Sequence, residues 1–175
     1  MYYLKMTLEG VLQAYANNEN IWRTRRDTQP APTKSAVMGI IGCSLGLREE
    51  DYEYTKLNNL VYLYKQNRKS MTIDDYQMIR PKEQGKSFEE SRFWSPNGSH
   101  SGVQYPTNKE YLADASFTVY VGCEDEHVLK RIHEALRNPV WAYYLGRACC
   151  TPGKQIAEKE CVLIDKMEEQ VCTCL

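Results

Sequence analysis

Two stretches of helical periodicity lie between stretches of strand periodicity, and their order restricts what this chain can build. Residues Tyr2 to Leu8 alternate, with Tyr3, Lys5 and Thr7 on one face and Tyr2, Leu4, Met6 and Leu8 on the other. Gly10 breaks that pattern. The period changes after Pro32. Thr33 is placed to cap a helix with its hydroxyl, and Val37, Ile40, Ile41, Ser44 and Leu45 then follow the spacing of one buried helix face. Gly39, Gly42 and Gly46 are unusual there, since an interior glycine costs about 1 kcal/mol against alanine. That cost implies close approach by another backbone, although Gly46 also suits a C-terminal cap. A short helix is expected over Asp51 to Asn58 and a strand over Leu60 to Gln66. Ala115 to Gly122 is the clearest strand. Glu124 to Asn138 is amphipathic, with Val128, Ile132, Ala135 and Leu136 inward and Pro139 as its stop. Cys161 to Asp165 reads as a last short strand.

The order is therefore strand, helix, strand, insertion, strand, helix, strand, the α+β ferredoxin-like β-α-β-β-α-β pattern shared with RRM-type domains. Residues 1–66 and 109–165 form the expected domain. Residues 67–108 are a polar insertion, and 166–175 are a tail with no assigned role. A structureless loop that long is improbable in a compact domain, so the insertion is expected to be a protruding hairpin or flexible arm. Ala16 to Pro32 is polar, basic and proline-terminated, and reads as a loop ordered by itself or by a ligand. No internal repeat or low-complexity tract is visible.

Composition narrows the function. The 175 residues carry 22 basic and 23 acidic side chains, a balance that argues against coating duplex DNA non-specifically. The longest uncharged apolar run, Val37 to Leu47, falls short of the roughly 20 residues of a membrane span. The N-terminus lacks a secretory pattern, so a cytoplasmic protein without membrane association is expected. Charge is nonetheless uneven. Ile21 to Arg48 holds Arg23, Arg25, Arg26, Lys34 and Arg48 against Asp27 alone. That stretch is either an anion site or a solvated loop. Lys154 to Gln170 leans acidic.

Enzyme chemistry finds little support. The phosphate-loop, dinucleotide and zinc-protease motifs are absent. His127 and His133 lie six apart on the second helix, share no face well and read as surface or edge residues. His100 sits on a Ser-Pro-Asn-Gly tip and needs a nucleophile near it to act as a base. Asp74 and Asp75 are neighbours on extended chain and point opposite ways. Seven cysteines, five of them in Cys149-Cys150, Cys161 and Cys172-Thr-Cys174, lack paired zinc spacing and a following His. Reduced, partly buried thiols are the simpler reading. No catalytic set, metal or cofactor is expected.

Nucleic-acid features are better represented. Thirteen Tyr stand against three Phe. Tyr beside Arg suits base stacking with phosphate contact on single-stranded RNA, and Trp22-Arg-Thr-Arg-Arg26 and Trp141-Ala-Tyr-Tyr-Leu-Gly-Arg147 combine the two. Tyr is also simply a good strand and rim residue.

Four ordered segments carry a family resemblance: Gly10-Val-Leu-Gln-Ala-Tyr15; Arg26-Asp-Thr-Gln-Pro-Ala-Pro-Thr-Lys-Ser35 running into Gly39-Ile-Ile-Gly-Cys-Ser-Leu-Gly46; Glu110-Tyr-Leu-Ala-Asp-Ala-Ser-Phe117; and Tyr144-Leu-Gly-Arg147. Together they resemble the CasD family of CRISPR-associated proteins, within the RAMP superfamily. Asp75-Tyr-Gln-Met looks like the family's short segment opening its insertion. The resemblance implies a ferredoxin-like domain with a thumb, here about Asn67 to Asn108. It implies a non-catalytic subunit of a type I-E Cascade ribonucleoprotein in antiviral defence. That subunit holds the 5′ handle of the guide crRNA and caps the backbone filament. Implied partners are the crRNA, the backbone subunit, the large subunit, and target DNA through the assembled complex. On this reading the RNA-binding residues are Arg25, Arg26, Thr28, Thr33, Lys34, Ser35, Tyr76, Arg80, Arg92, Tyr144 and Arg147.

The chain also departs from the family pattern. Val11, Tyr15 and Ala16 replace its Pro, Trp and Gly. Ala36 stands where it prefers Gly, and Gln77 where it often has His. Glu158 to Leu175 matches nothing in it. Two other readings stay open: an endonuclease processing precursor crRNA, as type I-C relatives do, and a stand-alone single-stranded RNA-binding domain. The absence of His from the basic loop and from the Tyr-Leu-Gly-Arg segment counts against the first.

Overall fold

A computed structural model describes residues 1–16, 25–79, 93–94, 100–101 and 105–164. In chain order the strands are β1 (Tyr2–Glu9), β2 (Leu12–Gln13), β3 (Arg25–Arg26), β4 (Val61–Arg68), β5 (Met71–Ile79), β6 (Phe93–Trp94), β7 (His100–Ser101), β8 (Tyr105–Ala113), β9 (Ser116–Cys123) and β10 (Leu163–Ile164). The helices are α1 (Lys34–Leu45), α2 (Tyr52–Leu57) and α3 (Glu126–Arg137).

The main sheet has the order β10-β1-β9-β4, with every neighbouring pair antiparallel. Alternation in β1 sends Leu4, Met6 and Leu8 to one face, where they sit opposite Val121, Val119 and Phe117 of β9. All six are buried and form the floor of the core. Two helices cover that floor. Helix α1 contributes Val37, Met38, Ile40 and Ile41, and α3 contributes Leu129, Ile132 and Leu136. Burial of a large aliphatic or aromatic side chain contributes about 1.5–3 kcal/mol, so this two-layer core is the main source of stability.

Both helix starts are capped by their own side chains. Thr33 Oγ1 accepts the Ala36 N–H at 3.3 Å, and Asp125 Oδ1 accepts the His127 N–H at 2.8 Å. Helix α1 ends at Gly46, whose φ of 72° is in the left-handed region that favours glycine.

Four residues meet surroundings other than their spacing implies. Val128 is exposed rather than inward, because the apolar stripe of α3 runs through Leu129, Ile132 and Leu136. His133 is buried, not a surface residue, with its Nε2 2.9 Å from the carbonyl oxygen of Glu158 in the segment crossing α3. Gly39 has no neighbour within 4 Å of where a Cβ would stand, so no backbone approaches it. Gly42 does serve close approach, but to the Tyr54 ring of α2 rather than to another backbone.

The second sheet is built on β8. The β5 strand pairs antiparallel with it along its whole length, from Met71↔Ala113 to Ile79↔Tyr105. On the opposite edge of β8, β2 pairs at Leu112–Ala113 and β3 pairs in parallel at Asn108–Lys109. The polar insertion thus begins and ends as a hairpin ladder, and β8 continues past Asn108 to Ala113. The short pair β6–β7 lies between them in sequence. Gln13 joins the two sheets from a fully buried position. Its Nε2 donates to Ala115 O at 2.8 Å, and its Oε1 accepts the Tyr15 hydroxyl at 2.6 Å. Among the described residues no helix is long and apolar enough to cross a membrane.

Candidate nucleic-acid interface

The basic loop returns to order at β3, and the pairing register sorts its side chains by face. Arg25 lies beside Asn108, which lies beside Tyr76; Arg26 lies beside Lys109, which lies beside Asp75. Neighbouring positions of a strand face opposite ways. Arg25 and Arg26 therefore meet different surroundings.

Arg25 is held by two carboxylates. Its Nε donates to Asp27 at 2.6 Å and a terminal nitrogen donates to Glu110 at 2.5 Å. These acidic partners push its pKa further up from the ordinary arginine value. The second Glu110 oxygen accepts the Thr28 N–H at 3.2 Å. Thr28 is also occupied: its Oγ1 accepts the Tyr15 N–H at 2.8 Å, and its backbone bridges to Ala16. Arg25 and Thr28 thus serve the shape of the loop.

Arg26 is exposed, and its side chain has no ion-pair or hydrogen-bond partner among the described residues. Lys109 stands next to it on the same face, 3.3 Å from Gln77 Oε1. Arg147 reaches this face from the Tyr144-Leu-Gly-Arg segment. It donates to the carbonyl oxygens of Glu110 at 2.7 Å and Arg26 at 2.9 Å, and its guanidinium lies 4.6 Å from the centre of the Tyr111 ring. Its charge contributes to the basic face, while two of its N–H groups fasten β3 to β8. Gly146 makes this possible. Its φ is 98°, and any Cβ would overlap the carbonyl of Ala14.

The helix start forms the adjoining wall. Gln29, Pro30, Ala31, Pro32, Thr33 and Lys34 face Tyr62 and Tyr64 of β4 across a groove of ≈ 530 Å³. Tyr62 donates its hydroxyl to Pro32 O, and its ring stacks on Tyr64 at 6.0 Å. Because Thr33 satisfies only Ala36, the N–H groups of Lys34 and Ser35 keep no intrahelical acceptor. Lys34 is exposed with Nζ 2.6 Å from Asn58 O, and Ser35 is exposed with Oγ 3.2 Å from Thr33 Oγ1. Free N–H groups, the helix dipole, a lysine and two tyrosine rings are the elements that receive a phosphate with its neighbouring base.

Among the residues expected from the sequence, Arg26, Lys34 and Ser35 are presented to solvent. Arg25, Thr28, Thr33 and Arg147 are engaged within the protein. Tyr76 is exposed on β5, and Tyr144 is exposed beside the Leu145–Arg147 turn. Arg80 and Arg92 lie outside the described residues, as do Trp22, Arg23 and the 166–175 tail. Lys109, Tyr62 and Tyr64 were missed. Alternation in Leu60 to Gln66 already placed the two tyrosines on one face, but only the fold brings the helix start opposite them. The exposed histidine His127 and the buried His133 both belong to α3, not to this surface.

A basic strand face beside a capped helix start, in a chain with this order of segments, has counterparts of known type. Residues 3–171 match the family model of the CRISPR-associated protein (Cas_Cas5). The chain belongs to the Cas5 family. It is 27% identical over 161 residues to the CRISPR system Cascade subunit CasD of Escherichia coli (strain K12), covering 85% of this chain and 66% of that one. A solved chain from a CRISPR RNA-guided surveillance complex superposes with a TM-score of 0.72 at 25% identity, over 88% of this chain and 61% of the other. A crystal structure of a Cas protein superposes at 0.66 with 23% identity, covering 95% and 67%, and bears on the fold alone. This Cas5-family chain spans under two thirds of the length of the CasD relative.

Proposed function

We propose that this chain is the crRNA-handle subunit of a type I-E Cascade surveillance complex, with its basic face and helix start gripping the repeat-derived 5′ handle. The observation that carries the reading is that exposed Arg26 and half-buried Lys109 share a strand face, and that the chain runs from Arg26 directly into Gln29 to Lys34, which line the tyrosine-walled groove at the start of α1. Family membership supports it, as does the likeness to a Cascade subunit. On this reading the order β10-β1-β9-β4 with a helix after β1 and after β9 is the ferredoxin-like arrangement. The β5–β8 hairpin is the base of the thumb, which reaches along the guide toward the backbone subunit. The large subunit docks nearby, and target DNA is met only through the assembled complex. On this reading the role is structural, and His127 and His133, both on α3, take no part in the RNA face.

The test is co-expression of the chain with the other complex subunits and a guide RNA, followed by sequencing of the retained RNA. Wild type should yield a particle with a uniform 5′ end. Replacing Arg26, Lys34 and Lys109 together by Ala should expose that end to nuclease while the subunit keeps its circular dichroism. A protected 5′ end in the triple variant would refute the site. Cleavage of precursor RNA by the purified subunit alone would refute the structural role.

A further inference from the structure

The turn that delivers Arg147 ends in two adjacent cysteines that the RNA face does not use. We propose that Cys149 and Cys150 form a peroxide-sensitive dithiol: a hydroperoxide oxidises the exposed Cys149 sulfur, and the buried Cys150 sulfur, 4.0 Å away, closes it into a disulfide. Cys149 Sγ lies 3.6 Å from the Tyr111 hydroxyl, which donates to the sulfur once it is a thiolate. Arg147 lies over the same Tyr111 ring. The Tyr111 hydrogen bond, with a smaller contribution from Arg147, holds the Cys149 thiol below its ordinary range. Burial pushes the Cys150 thiol the other way, up to about 11. The pair is thereby divided into an attacking sulfur and a resolving one.

The chemistry balances in two steps. The Cys149 thiolate attacks the hydroperoxide oxygen; the S–O bond forms, the O–O bond breaks, and the peroxide leaves as hydroxide or alkoxide. The Cys150 thiol then attacks the Cys149 sulfenic acid; the S–S bond forms, the S–O bond breaks, and the departing hydroxide takes the thiol proton to give water. Two thiols are oxidised by two electrons, and the peroxide is reduced.

Closure also reaches the loop. Cys150 N donates to Arg147 O at 2.8 Å, and Cys150 O accepts from Leu145 N at 2.7 Å. Drawing the two sulfurs to bonding distance shifts Cys150 against both bonds, and hence the Gly146–Arg147 turn that fastens Arg26. The alternative is that both thiols only fill space.

The purified 175-residue chain is treated with hydrogen peroxide and read by peptide mass spectrometry, which needs no RNA and is independent of the proposed function. The expected result is loss of two hydrogens from the Cys149–Cys150 peptide, reversed by dithiothreitol. In Cys150→Ser the product should instead be a sulfenic acid on Cys149, trapped by a cyclic 1,3-dione. Tyr111→Phe keeps the buried ring and should slow alkylation of Cys149 by iodoacetamide about fivefold or more. Hydrogen exchange at Arg26 and Glu110 should rise on oxidation. The proposal fails if Cys149 reacts no faster than Cys43 or Cys161, if its rate is unchanged in Tyr111→Phe, or if its sulfenic acid persists in wild type without closing on Cys150.

Discussion

Arg147 donates to the backbone carbonyl of Arg26 at 2.9 Å although the two residues are 121 apart in sequence. The same guanidinium spans to Glu110 O at 2.7 Å, so one side chain fastens β3 to β8 across the second sheet. A residue whose charge suggests phosphate contact is thus also a structural clamp. The two roles predict different outcomes for two substitutions.

If the fork matters, Arg147→Lys and Arg147→Ala should be nearly equally harmful, because an ammonium cannot reproduce two bonds at the spacing of a planar guanidinium. Hydrogen bonds to charged groups contribute about 1.5–3 kcal/mol, so each variant should lose on the order of 1–3 kcal/mol in urea unfolding. Amide exchange should rise at Arg25 to Thr28. Full retention of stability in Arg147→Lys would show that charge alone is used.

The glycines separate cleanly. Gly146→Ala places a methyl group against the Ala14 carbonyl at a φ of 98°, and both the overlap and the left-handed backbone oppose it. The loss should be about 3 kcal/mol or more, and the variant should express poorly. Gly39→Ala meets nothing within 4 Å in the interior of α1 and should stabilise the protein by about 0.5–1 kcal/mol. Thermal unfolding of the two variants reads both signs.

These contrasts show how far the sequence could be read. Strand alternation in β1, the Thr33 cap and the Gly46 stop depend on neighbours within a few residues, and each was legible. In α3 Ile132 and Leu136 were read correctly as inward, but Val128 was taken for Leu129 because both are apolar, and only packing against the sheet chooses between them. Gly10, Gln13 and Gly146 were legible as a pattern but not as a mechanism. Gln13 is recognisable as a buried staple only when Leu8, Tyr15 and Ala115 surround it. Likewise Glu110 and Arg25 are distant in sequence, and only the fold shows that an arginine expected at the RNA also braces the loop through two carboxylates. Lys109 was hidden for the same reason: its partner across the ladder, Arg26, is set by register, which one strand alone does not reveal.

Acid should weaken the protein partly through Glu9. Its carboxylate is held below its ordinary pKa of 4.5, first by the hydrogen bond from Lys154 at 2.8 Å and then by that from Ser116 at 2.9 Å. A lowered folded-state pKa means the unfolded chain binds the proton more readily. The contribution is therefore whole above the ordinary value and is lost as pH falls through the lowered one. Glu9 is partly solvated, so the effect is modest and screened by salt. Urea midpoints measured from about pH 7 to about pH 3 should fall less steeply in Glu9→Gln than in wild type. Parallel curves would remove Glu9 from the acid response.

Adjacent arginines should behave oppositely. Arg25 is held by Asp27 and Glu110, and releasing it leaves the Glu110 carboxylate, among the described residues, with the Thr28 N–H alone. Arg25→Ala should therefore loosen the Arg25–Thr28 strand, seen as faster amide exchange there, and affect RNA only through that loosening. Among the described residues Arg26 makes no comparable bond with its side chain. Arg26→Ala should leave unfolding unchanged and weaken handle RNA binding by roughly tenfold, the loss of one charge-assisted contact. The salt dependence distinguishes the two further. Removing a phosphate contact lowers the slope of log affinity against log salt by about 0.7 for single-stranded RNA, whereas a shape defect shifts the line without changing its slope. Filter binding of the assembled or isolated subunit to handle RNA at several salt concentrations measures both quantities. Equal slopes for Arg26→Ala and wild type would mean that Arg26 does not meet phosphate.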